Sequence, residues 1–499
     1  MNKKNLALVI LVLILIILST ACGKSSSSQP AAPSAPALGV TESVPETTVT
    51  PEPEPVSVEL SGSDGSRLTV YEYDTDVTAA DLGHISGLIE NAALLPALQN
   101  IHLEDGIEFT LQDLDELQAA FPEAVISYNV YISNKQIPID TTSLDLSALP
   151  AELIDETVRE LKKLPALQEV NLTPAVSVTG IAEKITESKT GAVFNDNLTI
   201  EQVVKLVNSR PDVTFDYQFL LYGNAVSTAD ERLEYTDIKI TDEGVESVIR
   251  PIMPAMNRLR YLKLDKCDVS SPTMAKLRDD FPDVKVVWRV FISGYGQTAD
   301  GSFAVYNCLT DTEKVWATGC VTDQFASELQ YCTDVKYLDL GHNCITNIDF
   351  TQYMPNLEMA VLSVSWVESL APLAHCENLV YLECFSSRVT DISPLASCKN
   401  LQYLNISNLA SVKDITPLYD LDLKRFYCTM SYIPADQQEE FKSLHPECDC
   451  EFGWVDPSKS EWRFLDGNYM NTDPSNRNEM YAKLYEVFGY DNPSKNQSK

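Results

Sequence analysis

From Val335 onward, apolar residues return on a fixed beat. Val335, Leu357, Leu379, Leu401 and Leu423 follow one another at intervals of 22 residues. Three and five positions after each comes a second apolar pair: Leu338/Leu340, Ala360/Leu362, Leu382/Cys384, Leu404/Ile406 and Phe426/Cys428. A third column stands at Ile345, Val367 and Val389 and slips by one to Val412. Between the copies lie LAPL, DISPL and DITPL, with Pro372, Pro394 and Pro417 in register. The alternation predicts one short strand per copy. Each return segment closes a coil that can bury its apolar row only by stacking on its neighbours.

An L-x-x-L-x-L pattern at constant period is the leucine-rich-repeat signature. In detail the copies resemble the internalin-like 22-residue class of bacterial repeats, on the turns Asp391-Ile392-Ser393-Pro394-Leu395 and Asp414-Ile415-Thr416-Pro417-Leu418. The turn asparagine of that class survives at Asn343 but becomes Ser365, Ser387 and Ser431 in later copies. Upstream the strand recurs, at longer and irregular intervals, as Leu98/Ile101/Leu103, Leu167/Val170/Leu172 and Leu259/Leu262/Leu264. A second phrase alternates with it (FPEAVI, RPDVTF, FPDVKV, HPECDC), placing Pro122, Pro211, Pro282 and Pro446 after helix-like stretches and before strands. Aromatic runs at 128–132, 217–222 and 288–292 precede turn residues and predict hairpins.

The fold expected is therefore α/β: a leucine-rich-repeat solenoid with irregular long units over 57–330, then regular 22-residue repeats and a final unit over 331–455. Residues 456–499 read as a C-terminal cap and tail, because Met480, Leu484, Val487 and Phe488 have helical spacing and an open solenoid end needs covering. The phrases YCTDVKYLDLGHN and EWRF, with the closing aromatic helix, resemble a group of clostridial leucine-rich-repeat surface lipoproteins. That resemblance implies a setting and no activity.

The first 56 residues look like an address and a spacer. Lys3 and Lys4 precede an apolar run from Ala7 to Leu18. As a helix it would rise about 18 Å, too short for a hydrocarbon core of roughly 30 Å, which favours a signal peptide over a span. The run ends in Leu18-Ser19-Thr20-Ala21-Cys22-Gly23. This resembles a bacterial lipobox, with Ser19 where leucine is usual, and implies a lipoprotein signal peptide over residues 1–22 with lipid on Cys22. Residues 23–56, rich in Pro, Ser, Thr and Glu, have too few large apolar groups to offset ordering entropy and should form a disordered stalk. Its reach would approach ~100 Å. The expected location is the outer side of a bacterial cell membrane.

Acidic residues outnumber basic ones 72 to 37, for a net charge of −35, which repels phosphate backbones and excludes nucleic acid as a partner class. Of 12 cysteines, most fall in repeat register: Cys332, Cys376 and Cys398 share one column, with Met354 standing in the intervening copy. Cys384 and Cys428 take strand leucine positions, Cys448 and Cys450 align with Val284 and Val286, and Cys267 fills a turn-asparagine position. Free cysteine packs well at such sites, so buried thiols are expected in preference to a disulfide framework. Cys308, Cys320 and Cys344 have no place in the register.

His445, Cys448 and Cys450 could be drawn as a metal site, but lack a fourth ligand and read as core. No H-E-x-x-H, G-x-S-x-G or Walker spacing is present, and Gly294-Tyr295-Gly296 belongs to a turn. Neither cofactor nor enzymatic activity is expected. In repeats of this type the strands line a concave face. One outward column is Tyr337, Met359, Tyr381, Tyr403 and Arg425; the next includes Asp339, Glu383, Asn405 and Tyr427. Stacked at about 4.8 Å, these side chains would make an aromatic and polar band suited to a protein or glycan ligand. The bland alternative is that tyrosine simply favours strands. A structural or self-associating envelope component is the second reading, and an envelope hydrolase the third.

Overall fold

The computed structural model describes residues 55–174, 189–292, 296–297, 303–304, 306–319, 321–455, 460–468, 471 and 473–490. The leader, Cys22, Cys320 and the stalk up to residue 54 lie outside the described residues. The described residues from Val56 onward form one compact unit.

Its first part opens with the antiparallel hairpin β1 (Ser57–Ser61) and β2 (Arg67–Tyr71), followed by parallel β3 (Asp76–Ala79), β4 (Asn100–Leu103) and β5 (Val125–Ser127). Helix α1 (Leu82–Glu90) lies between β3 and β4, and α2 (Leu111–Ala120) between β4 and β5. Both helices start where the sequence supplies a cap. The Asp81 carboxylate accepts the His84 N–H, and Thr110 with Asp113 forms a reciprocal capping box. Leu60, Val70, Ile85, Leu88, Ile101, Leu103 and Leu117 fill this core.

Next come the hairpin β6 (Val130–Ile132) and β7 (Lys135–Ile137), then β8 (Ser143–Asp145), helix α3 (Ile154–Leu161), β9 (Glu169–Asn171) and β10 (Ala192–Val193). Helix α4 (Ile200–Ser209) and β11 (Thr214–Asp216) follow, then the hairpin β12 (Gln218–Leu221) and β13 (Asn224–Ser227). Strands β8, β9 and β11 are parallel, and their central residues Leu144, Val170 and Phe215 form one buried row. Strands β14 (Arg232–Thr236), β15 (Tyr261–Asp265) and β16 (Lys285–Phe291) repeat the arrangement, with helix α5 (Ser271–Asp280) before β16. The hairpins expected after the aromatic runs are present, and Phe219, Leu221, Val130 and Ile132 turn one side of each into the core.

After β17 (Gly296–Gln297), β18 (Phe303–Ala304) and β19 (Asn307–Leu309), the regular repeats build a seven-stranded parallel sheet: β20 (Lys314–Trp316), β21 (Tyr337–Asp339), β22 (Met359–Val361), β23 (Tyr381–Glu383), β24 (Tyr403–Asn405), β25 (Arg425–Tyr427) and β26 (Asp449–Glu451). Every pair keeps the same register, so Val315, Leu338, Ala360, Leu382, Leu404, Phe426 and Cys450 stand in one row. The first six are buried. The predicted columns at Val335 to Leu423 and Ile345 to Val412 are buried as well. Each return segment between β21 and β25 carries a short 3₁₀ turn, and in the last three Pro372, Pro394 and Pro417 sit at its start, where a missing N–H costs nothing. The preceding aspartate explains the D-I-[ST]-P-L turns: Asp391 accepts the Ser393 N–H at 2.8 Å, and Asp414 the Thr416 N–H at 2.9 Å.

After each strand the chain bends through a left-handed residue: His342, Val364, Ser386, Asn408 and Met430 have φ between 53° and 60°. Asn343 ties this bend down by donating to the Ala317 and Leu340 carbonyls at 2.7 and 2.8 Å and accepting from Val321 N–H. In the next copy the Ser365 hydroxyl reaches the Leu340 carbonyl at 3.2 Å, a shorter substitute for the amide.

All ten described cysteines are free. Cys376 and Cys398 are buried, and burial raises their thiols to about 12 and about 11. Cys308 also has a structural place: it is buried, 3.8 Å from Cys332 sulfur to sulfur. Cys344 is exposed. Among the described residues no three His, Cys, Asp or Glu side chains gather as a metal site, and no helix is long and apolar enough to cross a membrane.

Candidate functional site: the tyrosine face of the regular sheet

A three-residue strand whose middle side chain enters the repeat core must send its two flanking side chains to the opposite face. Strands β21 to β25 therefore present the predicted band together: Tyr337, Met359, Tyr381, Tyr403 and Arg425 in one row, with Asp339, Val361, Glu383, Asn405 and Tyr427 beside it. The band exists as a geometric unit. It is not bare. Met359, Tyr381, Glu383 and Asn405 are fully buried, Tyr403, Tyr427 and Asp339 nearly so, and only Tyr337 and Arg425 are partly exposed.

What covers them is residues 460–490 of the same chain. The tail expected over the open end lies instead across the tyrosine face; helix α6 (Ala435–Leu444) is the return segment between β25 and β26, and its Phe441 packs on Phe426 and Phe452. The covering segment begins with Trp462, which is 1% exposed. Its ring centroid lies 5.5 Å from that of Tyr381 and 5.4 Å from that of Tyr427. Its indole N–H is shared between the Glu383 carboxylate at 2.8 Å and the Tyr381 hydroxyl at 3.2 Å. Arg463 follows, and its guanidinium grips both Glu383 oxygens, Nε lying 3.1 and 3.0 Å away and Nη2 closing the fork. Arg425 donates to the Glu461 and Trp462 carbonyls.

Between Phe464 and Asn478 the described residues bond to one another. Asp466 accepts from the Asn468 N–H, the Asn471 amide and the Asn476 amide. Helix α7 (Glu479–Phe488) then starts from Asn478, whose side chain accepts the Tyr481 N–H at 2.8 Å and donates to the Trp462 carbonyl. Ten residues of helix span about 15 Å, roughly three strand spacings. Glu479 accordingly accepts the Tyr403 hydroxyl over β24. Lys483 lies 3.2 Å from Glu358 and above the Tyr337 ring, and the Val487 carbonyl meets Lys314 at 2.5 Å on β20. Gly489, at φ 61°, ends the helix in the left-handed conformation. Tyr490 then turns back to donate to Asp339 and to meet Trp316 edge-on. Tyr481, Leu484 and Phe488 complete the apolar layer with Met359, Val361 and Tyr403.

Electrostatics follow from this closure. Burial raises the Asp339 carboxyl above its ordinary range, although the Tyr490 hydroxyl and the Gly341 N–H favour its ionised form. Burial pushes Tyr403 and Tyr427 up to about 12 and Tyr381 well beyond its usual range, with Glu383 adding to the last. The Asn405 carbonyl oxygen accepts the Ser407 N–H at 3.0 Å, but its buried NH₂ finds no acceptor among the described residues.

The chemistry is that of recognition. An aromatic anchor in an aromatic cleft and a forked ion pair fix position and orientation. Trp462, Arg463, Lys483 and Tyr490 stand outside the nine residues singled out from the repeats. The signal the sequence offers for Arg463 and Lys483 is complementarity of charge, since Glu383 and Glu358 have their bases in the closing segment.

No curated relative matches the chain. Among solved structures, internalin C2 of Listeria monocytogenes is 21% identical over 48% of this chain and 80% of that one, with a TM-score of 0.24. Internalin F of the same species is 15% identical over 77% and 82%, TM-score 0.24. A leucine-rich-repeat protein of Leptospira interrogans is 14% identical over 75% and 100%, TM-score 0.27. Residues 377–420, the coils that carry β23 and β24, match the family of leucine-rich repeats in two copies.

Proposed function

We propose that this chain is a lipid-anchored surface protein that binds a protein partner through its leucine-rich repeats and performs no catalysis. Cys22 would carry the lipid, residues 23–56 would hold the repeats away from the bilayer, and the face of the regular sheet would meet the partner. The observation that supports the reading best is the docking of residues 460–490: the tyrosine face engages a peptide segment with a buried tryptophan and a forked ion pair, the features that dominate protein–protein contacts.

The test is capture. The chain from Val56 is offered surface extracts alongside a Trp462→Ala/Arg463→Ala variant that loosens the covering segment. A partner held more strongly by the variant supports binding at the face. Equal retention places binding elsewhere, and a chain that self-associates with rising concentration in light scattering favours an envelope-building role. Transfer of full-length protein from membrane to medium on Cys22→Ser tests the anchor.

A further inference from the structure

We infer that the tyrosine face is a receptor site for Trp-Arg-bearing helical peptide segments, and that residues 460–490 are its occupant in cis, which a partner must displace. The inference rests on the repeat face being the working surface, and it names the partner's chemistry.

Three observations carry it. The covering segment meets the sheet through side chains, and through the Glu461, Trp462 and Val487 carbonyls, all groups that a foreign peptide could equally bring. Trp462 and Arg463 both converge on Glu383, Lys483 on Glu358, and Tyr490 on Asp339. Among its described residues no backbone extends the sheet as an added strand. The repeats beneath are complete without it: the row from Val315 to Phe426 is buried in a separate core that contains no residue of 460–490. Finally, the fit leaves a polar group of the face unsatisfied. Among the described residues the Asn405 NH₂ is buried without an acceptor, an unfavourable state that an incoming carbonyl at that position would relieve.

These observations define the partner. It presents Trp-Arg at the Glu383 end, an apolar helix face for Met359 and Tyr403, and a cation four to five residues along that helix for Glu358. Ten residues separate Glu451 from Trp462, a tether short enough to give the cis segment an effective concentration on the order of millimolar. An intact chain therefore resists external peptide, and severing the tether removes the advantage.

The experiment uses the chain from Val56 with a site-specific protease site inserted between Pro457 and Ser458. A fluorescent synthetic peptide of residues 460–490 is titrated before and after cleavage, by anisotropy. The expected result is exchange into the cleaved chain with apparent affinity at least about 100-fold tighter than into the intact chain. The same peptide carrying Arg463→Glu should fail to exchange. Thermal unfolding of the cleaved chain, with the segment exchanged or washed away, keeps the repeats' cooperative transition. A cleaved chain that releases the segment yet takes up no labelled peptide overturns the inference. Repeats that unfold whenever the segment leaves overturn it too, because the segment is then part of the core. Dimers formed by exchange between copies overturn the external partner in favour of a second copy of this chain. Peptide exchange is read without any natural partner, so failure to capture one from extracts counts against the binding function and leaves the site standing.

Discussion

Replacing Trp462 by alanine tests the weight placed on the anchor. The indole is 1% exposed, lies between Tyr381 and Tyr427, and donates to Glu383. Truncating a buried tryptophan costs about 3–5 kcal/mol through lost transfer energy and the cavity left behind. Here the loss falls on the contact between residues 460–490 and the sheet, and the repeat core, which Trp462 does not enter, is spared. At 1.4 kcal/mol per tenfold, 3 kcal/mol corresponds to roughly a hundredfold rise in the open population of the segment. Amide hydrogen exchange read by mass spectrometry is the assay. The amides of α7 should exchange about a hundredfold faster or more in Trp462→Ala, whereas those of β22 to β24, hydrogen-bonded between strands, keep their rates. Uniform acceleration across the repeats would refute the separation of segment and core. Unchanged α7 rates would refute the anchor.

Other consequences are as direct. Glu383→Ala leaves Arg463 without its carboxylate, and in a double-mutant cycle with Arg463→Ala, read from α7 exchange, the pair should show coupling of about 1–3 kcal/mol; additive effects would deny the ion pair its role. Burial raises the Asp339 carboxyl, so the native state binds more protons than the unfolded one between the ordinary value of 3.8 and the raised one; stability from this group is full below 3.8 and declines as pH climbs through that window. Asp339→Asn should remove that decline in thermal melts taken at successive pH values, and a slope unchanged by the substitution would contradict the assignment. Iodoacetamide at pH 8 should label exposed Cys344 quickly and reach Cys376, Cys398 and Cys428 only after unfolding, because burial lifts those thiols to about 11–12; rapid native labelling of Cys376 by peptide mapping would contradict the buried column.

Much of the repeat architecture is legible in the sequence because its cause is local and periodic. The Leu382 and Leu404 columns, the capped D-I-[ST]-P-L turns and the in-register cysteines each follow from one coil stacking on the next. The helix at Glu479–Phe488 is legible for the same reason, from the spacing of Met480, Leu484 and Phe488. Its place is not. Periodicity tells which side chains leave the repeat core, so Tyr381 and Glu383 are correctly sent to the opposite face; it cannot tell whether another part of the chain then lies on them. Arg463 meets Glu383 across 80 residues, and no repeat period encodes such a pairing. Cys308 was similarly opaque, since its burial depends on the antiparallel pairing of β19 with β16. A Glu-Trp-Arg-Phe stretch following an acidic, tyrosine-rich strand ladder is the clue that charge complementarity offers.

The account depends above all on residues 460–490 lying across the tyrosine face, and one contact reports on it with little disturbance. Lys483 Nζ is 3.2 Å from Glu358 Oε2, 125 residues away in sequence, and both side chains remain reachable at 41% and 35% exposure. A carbodiimide, which joins an amine to a carboxylate only when they touch, should link these two residues within monomeric chains. Lys336 and Glu313, 2.7 Å apart on neighbouring coils, serve as the internal reference. Mass spectrometry should find both cross-linked peptide pairs in comparable yield. Recovery of the Lys336–Glu313 link without the Lys483–Glu358 link would contradict the covered face.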